Sequence, residues 1–319
     1  MNVDNFKKVL DHILEEYPDL ANYKPKIEKK FVASDGREYN TYLLSTTYPN
    51  FSKLVAKGVV NTSIDLNKER IFTKILADNR VNVPKLFYEN KVPSKYLLLE
   101  YIEGKRLEDI LSRSVPQSTQ IFEKLGALVG KMHTTKVGGF GDFLEVKSNS
   151  WYEYVSEKFT GRLGFSKKKD YRNIINYATN LWNDVQELIK LEGKNNPIVN
   201  HRDLYLDNFI LKPNGDLYVL DFGLLRGGRP FFDLGKFYLL ILIKFPQYSS
   251  YFVKGYKRYI KLDKDSSILL KFYIVLEILG MMPFFNSIGN EKMLDKVLED
   301  FDGLSSNKGV LNDLVNNFK

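Results

Sequence analysis

The pattern of apolar and polar positions divides the chain into a β-rich beginning and a largely helical remainder. Phe6, Val9, Leu10, Ile13 and Leu14 recur at helical spacing and predict a short amphipathic helix over 4–16. Strand candidates follow at 27–32, 39–45, 53–60 and 96–101, with one helix, about 66–78, between the last two. Beyond Gly104 the period becomes helical. Residues 117–134 carry Ile121, Phe122, Leu125, Leu128, Val129 and Met132 on one face, behind Pro116 as a start signal. Residues 168–191 carry Ile174, Ala178, Leu181, Val185 and Ile189 in the same way. Further helices are predicted at about 231–244, 248–260, 265–284, 290–301 and 307–318. Between these blocks, residues 197–199 read as a short strand. Phe209-Ile210-Leu211 and Leu217-Tyr218-Val219-Leu220 read as the two arms of a hairpin, because Lys212-Pro213-Asn214-Gly215-Asp216 is a strong turn signal. The expected fold class is therefore α+β: a first domain over 1–100, a connection at 101–104, and a second domain over 105–319. No internal repeat or low-complexity tract interrupts it.

Composition narrows the chemistry. The chain has 319 residues, 44% hydrophobic and 27% charged, which is ordinary for a globular protein with a sizeable core. There is no cysteine, so thiolate catalysis, disulfides and zinc–thiolate sites are excluded. His12, His133 and His201 lie far apart and give no metal-ligand spacing. The net charge of +8 is spread along the chain, with Lys167-Lys168-Lys169 the tightest run. No basic stripe with interleaved aromatics appears, so no nucleic-acid partner is expected; the positive field favours an anionic substrate such as a nucleoside triphosphate. Lys271 and Glu277 interrupt the most apolar stretch, 268–285, which reads as a buried helix and not a membrane span. The polar N-terminus carries no secretory signal. A cytoplasmic protein without a membrane partner is expected, with a monomer as the default.

The chemistry concentrates at His201-Arg202-Asp203-Leu204-Tyr205-Leu206-Asp207-Asn208, followed by Asp221-Phe222-Gly223. This HxDxxxxN…DFG spacing is how a kinase-type phosphotransferase places a base and two magnesium ligands. Asp203 is the candidate catalytic base, able to orient and deprotonate an attacking hydroxyl. Asn208 and Asp221 are the candidate Mg2+ ligands, one at each end of the hairpin. Leu54-Val55-Ala56-Lys57 resembles the strand that carries a phosphate-binding lysine, and Glu69 stands on the next helix where its ion-pair partner belongs; Lys53 is a competing lysine. The turn holding Ser34 and Gly36 is a poor glycine-rich loop, with one glycine available to bring backbone amides to phosphate. Glu100, Tyr101 and Ile102 end the sheet, where backbone groups can meet an adenine.

On these residues the chain resembles the aminoglycoside phosphotransferase and choline kinase superfamily, small-molecule relatives of the protein kinases, over about residues 25–245. Gly126 to His133 (GALVGKMH) looks like that family's helix ending in Met-His. His201, Asp203 and Asn208 match its catalytic loop, Asp221 its metal aspartate, and Asp233 the aspartate of its D-P-x-x-D-L-A segment. The resemblance implies a protein-kinase-like two-lobe fold, with a small β-rich lobe of five strands and one helix and a larger helical lobe, ATP and Mg2+ as cofactors, and Asp233 as a brace for the catalytic loop. Its place at the start of an apolar helix also predicts that Asp233 caps backbone amides.

Several residues depart from the family. Arg202 stands where a glycine is usual, and Gly228-Arg229-Pro230 replaces Gly-Asp-Pro. Arg202, Arg226 and Arg229 either meet an anionic substrate or pair with acids such as Asp207 and Asp216. Tyr205 occupies the place of the catalytic-loop lysine of Ser/Thr protein kinases, and residues 224–232 are too few for an activation segment. The leading expectation is transfer of the γ-phosphoryl group to a hydroxyl of a small molecule, of the aminoglycoside, choline, sugar or amino-alcohol class. The alternatives are an atypical protein Ser/Thr kinase, suggested by His-Arg-Asp, and a nucleotide-binding pseudokinase, suggested by the poor glycine loop. Glu277, the lone carboxylate of an apolar helix, either binds an amine or sugar hydroxyl or pairs with a core Lys or Arg. The acidic residues Glu291, Asp295, Glu299, Asp300 and Asp302 either attract a polycation or form a solvated face with Lys292 and Lys296.

Overall fold

The computed structural model describes residues 3–32, 38–58, 66–92, 95–112, 117–142, 146–166 and 171–318. The turn with Ser34 and Gly36, Pro116 and the lysine run at 167–169 lie outside them. The chain divides into two compact units: Met1–Arg106 with Phe209–Gly223, and Leu107–Asn208 with Leu224–Lys319. The hairpin therefore packs with the first unit, whereas a single division at 101–104 assigns it to the second.

The first unit opens with α1 (Val3–Glu16). Strands β1 (Lys26–Val32), β2 (Glu38–Ser45), β3 (Lys53–Gly58) and β4 (Tyr96–Glu100) then pair consecutively and antiparallel, with α2 (Leu66–Asp78) between the last two. Period-two alternation along β3 sorts its residues. Leu54 and Ala56 pack with Leu44, Leu98, Ile13 and Leu20 on the face covered by α1. Val55 packs with Leu97, Leu99 and Leu66, the first residue of α2, on the other. Lys57 shares the parity of Val55 and so projects on the α2 side. In place of a fifth strand, the described residues show an isolated bridge between Leu86 and Leu99. The short β5 (Lys105–Arg106) ends the first run of this unit.

The second unit continues with α3 (Leu107–Leu111), α4 (Ser118–Met132), β6 (Phe140–Asp142), β7 (Val146–Ser148), α5 (Trp151–Ser166), α6 (Arg172–Glu192) and β8 (Ile198–Asn200). β9 (Phe209–Leu211) and β10 (Leu217–Val219) form the predicted hairpin, with Phe209 opposite Val219, and pair with β5 in the first unit. β11 (Arg226–Gly228) returns to the second unit and pairs with β6 and β8. The helices α7 (Pro230–Leu240), α8 (Ser249–Tyr256), α9 (Ser266–Ser287), α10 (Glu291–Ser305) and α11 (Gly309–Asn316) follow.

α9 organises the second unit. It is apolar around its whole circumference, as suits a helix enclosed by others, and α5, α6, α7, α10 and α11 pack on it. By length and composition it could cross a membrane; here Phe272 through Leu279 are buried within the unit. α4 and α8 approach closely because both carry glycine at the crossing. A Cβ on Gly126 would lie 2.0 Å from the Phe252 carbonyl oxygen, and one on Gly255 would lie 1.9 Å from that of Glu123. Gly126, with Gly130 packed on the Tyr256 backbone, explains part of the GALVGKMH segment as backbone packing.

Candidate active site

In the first unit the expected lysine pair is formed. Lys57 Nζ lies 2.8 Å from Glu69 Oε2 and 2.9 Å from Asp221 Oδ1. Burial works against the Lys57 charge, but the carboxylates of Glu69 and Asp221 outweigh it and raise its pKa above the ordinary value. Burial pushes the Glu69 carboxyl up, with Lys57 opposing. The competing Lys53 is exposed and lies 5.5 Å from the centre of the Tyr101 ring. Glu100 closes β4, and its carboxylate accepts from the Lys85 amide at 3.0 Å. Ile102 is buried and Tyr101 half-buried in the irregular backbone beyond the strand.

In the second unit β8 delivers the catalytic loop. Asn208 Nδ2 donates to the Asp203 carbonyl at 2.8 Å and to its carboxylate at 3.1 Å, which leaves the Asn208 amide oxygen on the opposite side as an acceptor. Arg202, immediately before Asp203, has φ 63°, and Asp221 has the same value. Non-glycine residues adopt this left-handed backbone at a cost, and such residues cluster at functional sites.

Asp233 holds that loop in place. Its Oδ2 accepts from the His201 amide at 2.5 Å and its Oδ1 from the Arg202 amide at 2.8 Å. His133, the end of the GALVGKMH segment, contacts Asp233 Oδ2 through Nε2 at 3.2 Å and the Tyr256 hydroxyl through Nδ1 at 2.8 Å. Burial raises the Asp233 carboxyl, but the hydrogen bond and charge of His133, with Arg202, more than reverse this and hold it below the ordinary value. The amides it caps are those of the catalytic loop. α7 itself starts on Arg229 and Pro230 without a side-chain cap. Asp233→Ala strips two backbone amides, one of them fully buried, and a buried histidine of their acceptor. Charge-assisted bonds contribute about 1.5–3 kcal/mol each, so a clear fall in melting temperature should accompany the loss of turnover. An unchanged melting temperature with lost turnover would instead place Asp233 in the chemistry.

The arginines that depart from the family pattern have protein partners. Arg202 Nη2 lies 2.7 Å from Glu277 Oε1, and its guanidinium stacks 3.5 Å from the Phe232 ring centre. Arg226 pairs with Asp142 at 3.0 Å, and Arg229 donates to the Asn196 carbonyl at 2.9 Å. Glu277 is thus a core ion-pair partner, also met by Arg162 at 3.4 Å. Lys236 was not singled out by sequence. Its Nζ donates to the Arg202 carbonyl at 2.8 Å, lies 3.5 Å from Asp203 Oδ1 and sits over the Tyr205 ring. An ammonium is therefore supplied beside the base from α7, where the catalytic loop itself offers tyrosine. The signal in the sequence was its spacing: Lys236 follows Asp233 by one helical turn and shares its face.

The profile of the phosphotransferase enzyme family, APH, matches residues 32–262, and the chain belongs to this family. It is a phosphotransferase with a protein-kinase-like fold of a small antiparallel-sheet part and a larger helical part. A thermostable mutant of aminoglycoside phosphotransferase APH(4)-Ia, in ternary complex with AMP-PNP and hygromycin B, is 12% identical, covering 96% of this chain and 97% of that one at a TM-score of 0.61. The choline kinase LicA from Streptococcus pneumoniae is 16% identical, covering 94% and 99% at 0.57. APH(2")-IIa in its gentamicin complex is 13% identical, covering 98% of each chain at 0.57. At these identities the likeness is one of fold. No curated protein matches the sequence.

Proposed function

We propose that this phosphotransferase moves the γ-phosphoryl group of ATP to a hydroxyl of a small molecule in the presence of Mg2+. The observation that carries the proposal is the complete set of polar groups: Asp203 braced by Asn208 and flanked by Lys236, and Asp221 with the formed Lys57–Glu69 pair. The nucleotide in the APH(4)-Ia complex supports a nucleotide donor. Choline kinase activity and the gentamicin complex, named for two neighbours, support a small-molecule acceptor.

The donor set fits Mg2+, which takes few hard oxygen ligands and keeps several waters. The Asp221 carboxylate and the Asn208 amide oxygen are the ligands proposed here; a bound Mg2+ would neutralise charge on the phosphates. Lys57, held cationic by Glu69, binds phosphate oxygens, and backbone at 100–102 binds the adenine. The acceptor oxygen forms the new bond to phosphorus as the bond to ADP breaks, and Asp203 takes the hydroxyl proton. Lys236 screens the negative charge that gathers beside Asp203. Positioning and electrostatics supply most of the acceleration in such a transfer.

A small acceptor is favoured over a protein by residues 224–232. Arg226–Gly228 is paired between β6 and β8, and α7 begins at Pro230, so this stretch is tied into a sheet. Mg-ATP at millimolar concentration should raise the melting temperature, and Asp221→Ala should shrink that rise. A wild-type protein whose melting does not respond to Mg-ATP would sink the proposal.

A further inference from the structure

A cavity of about 1310 Å3 opens within the second unit, walled by α7, α9, α10 and α11. Lys236 and Tyr205 line one end of it. Because Lys236 Nζ is 3.5 Å from Asp203 Oδ1, that end adjoins the proposed base. The volume exceeds the roughly 300–1,000 Å3 usual for small-molecule sites, so there is room well beyond a single sugar ring.

Three of its helices contribute large apolar side chains that stay open to solvent. Phe284, Val310 and Met293 come from three different helices and are 57%, 45% and 37% exposed, yet all line this cavity, with Leu240 and Met281 beside them. Large apolar side chains gathered in one concavity mark a binding surface more than scattered ones do. The carboxylates of the cavity are largely answered from within. Glu277 is held by Arg202 and Arg162, and although burial pushes its carboxyl up, those arginines keep it below the ordinary value. Glu299 and Asp300 both pair with Lys296, at 3.3 and 2.9 Å. Lys244 and Lys308 add positive charge to the lining. Asp302 also lines the cavity, but with Arg162, Lys236 and Lys296 the lining carries five cations against four carboxylates, a balance that does not favour a polycation.

Building on the phosphotransferase reading, we infer that the acceptor is a hydroxyl compound with an extended, uncharged apolar body, seated against Phe284, Met293 and Val310 with its hydroxyl toward Asp203. Polycationic aminosugars and a small quaternary amine do not suit this lining. The transfer itself stays as written above, giving a phosphate monoester and ADP.

A ladder of methyl, butyl, hexyl and octyl β-glucosides, kept below micellar concentrations, isolates the apolar body at constant sugar. Binding is measured by calorimetry, with kanamycin and choline alongside and the Mg-ATP melting shift read on the same samples. Affinity should climb along the ladder, by up to about fourfold per buried methylene, and exceed that for kanamycin and choline. Phe284→Ser and Val310→Ser, both at exposed positions, should flatten the climb. A flat ladder, or tighter binding of kanamycin, overturns the inference while a retained Mg-ATP shift leaves the phosphotransferase reading standing. A missing Mg-ATP shift removes that reading instead, and the ladder still decides what the cavity binds.

Discussion

Asp203→Asn is expected to cut turnover by about 10²–10⁴-fold, the usual contribution of a positioned base, while the protein folds and binds Mg-ATP as before. The substitution keeps the shape of the side chain and removes its ability to take a proton. Asp203 is anchored mainly through its backbone: its carbonyl accepts from Asn208, and the loop before it hangs on Asp233 through the His201 and Arg202 amides. None of these bonds needs the Asp203 carboxylate, so the loop should hold. The carboxylate does meet Asn208 Nδ2 and, at 3.5 Å, Lys236 Nζ, and an amide can still accept from both. Turnover is read as ADP release with an acceptor, and integrity as melting with and without Mg-ATP. A variant that turns over at wild-type rates would move the base elsewhere.

Arg202→Met should lower stability by about 3–5 kcal/mol, the cost of leaving a buried charge without its partner. Glu277 sits in the middle of α9 with buried neighbours on every side, and Arg162 at 3.4 Å is the longer of its two arginine contacts. Methionine carries the same backbone strain at φ 63° as arginine, so the comparison isolates the side chain. The pH dependence has a definite sign. Glu277 has its folded pKa held below the ordinary 4.5. Its contribution is present above that value and fades as pH falls through the folded pKa. The gap between wild type and Arg202→Met should therefore narrow in acid. Adding Glu277→Leu to Arg202→Met should recover much of the loss at neutral pH. Denaturant midpoints for the two single variants and the double variant measure this coupling; additive losses in the double variant would show that the pair is not coupled.

The elements that sequence revealed best are those whose burial is one-sided. α1, α2, α4, α6 and α10 follow their apolar stripes closely. α5 was missed because Gly161 and Gly164 dilute its signal, although Trp151, Val155 and Phe159 supply one buried face at every fourth position. α7 stops at Leu240, short of the predicted 244, because the run from Phe237 to Ile243 is apolar throughout and gives no end signal; a 3-10 turn follows at Leu242–Lys244. At the site, Lys57 and Glu69 were legible from the Leu54-Val55-Ala56-Lys57 strand and from the place of the helix that follows it. The partners of Arg202 and Arg226 were not. Asp207 and Asp216 were nearer in sequence, but Glu277 and Asp142 lie on elements brought in by tertiary packing, which spacing does not encode. Lys236 lies one helical turn after Asp233, but that spacing alone does not name the Arg202 carbonyl that it reaches.

The assignment of Phe209–Gly223 to the first unit has a consequence for synthesis on the ribosome. Domains commonly fold in the order in which they emerge, at about 5–20 residues per second. Here the first unit lacks β9, β10 and Asp221 until Leu107–Asn208 has also been made. At that pace the delay over roughly a hundred residues is about 5–20 s. During it Lys57 has Glu69 but not Asp221, and β5 has no strand to pair with. The two units are therefore interleaved in time as well as in sequence. A truncated chain ending at Arg106 would be an unfinished lobe, exposed to chaperones and proteases in a way that an ordinary N-terminal domain is not.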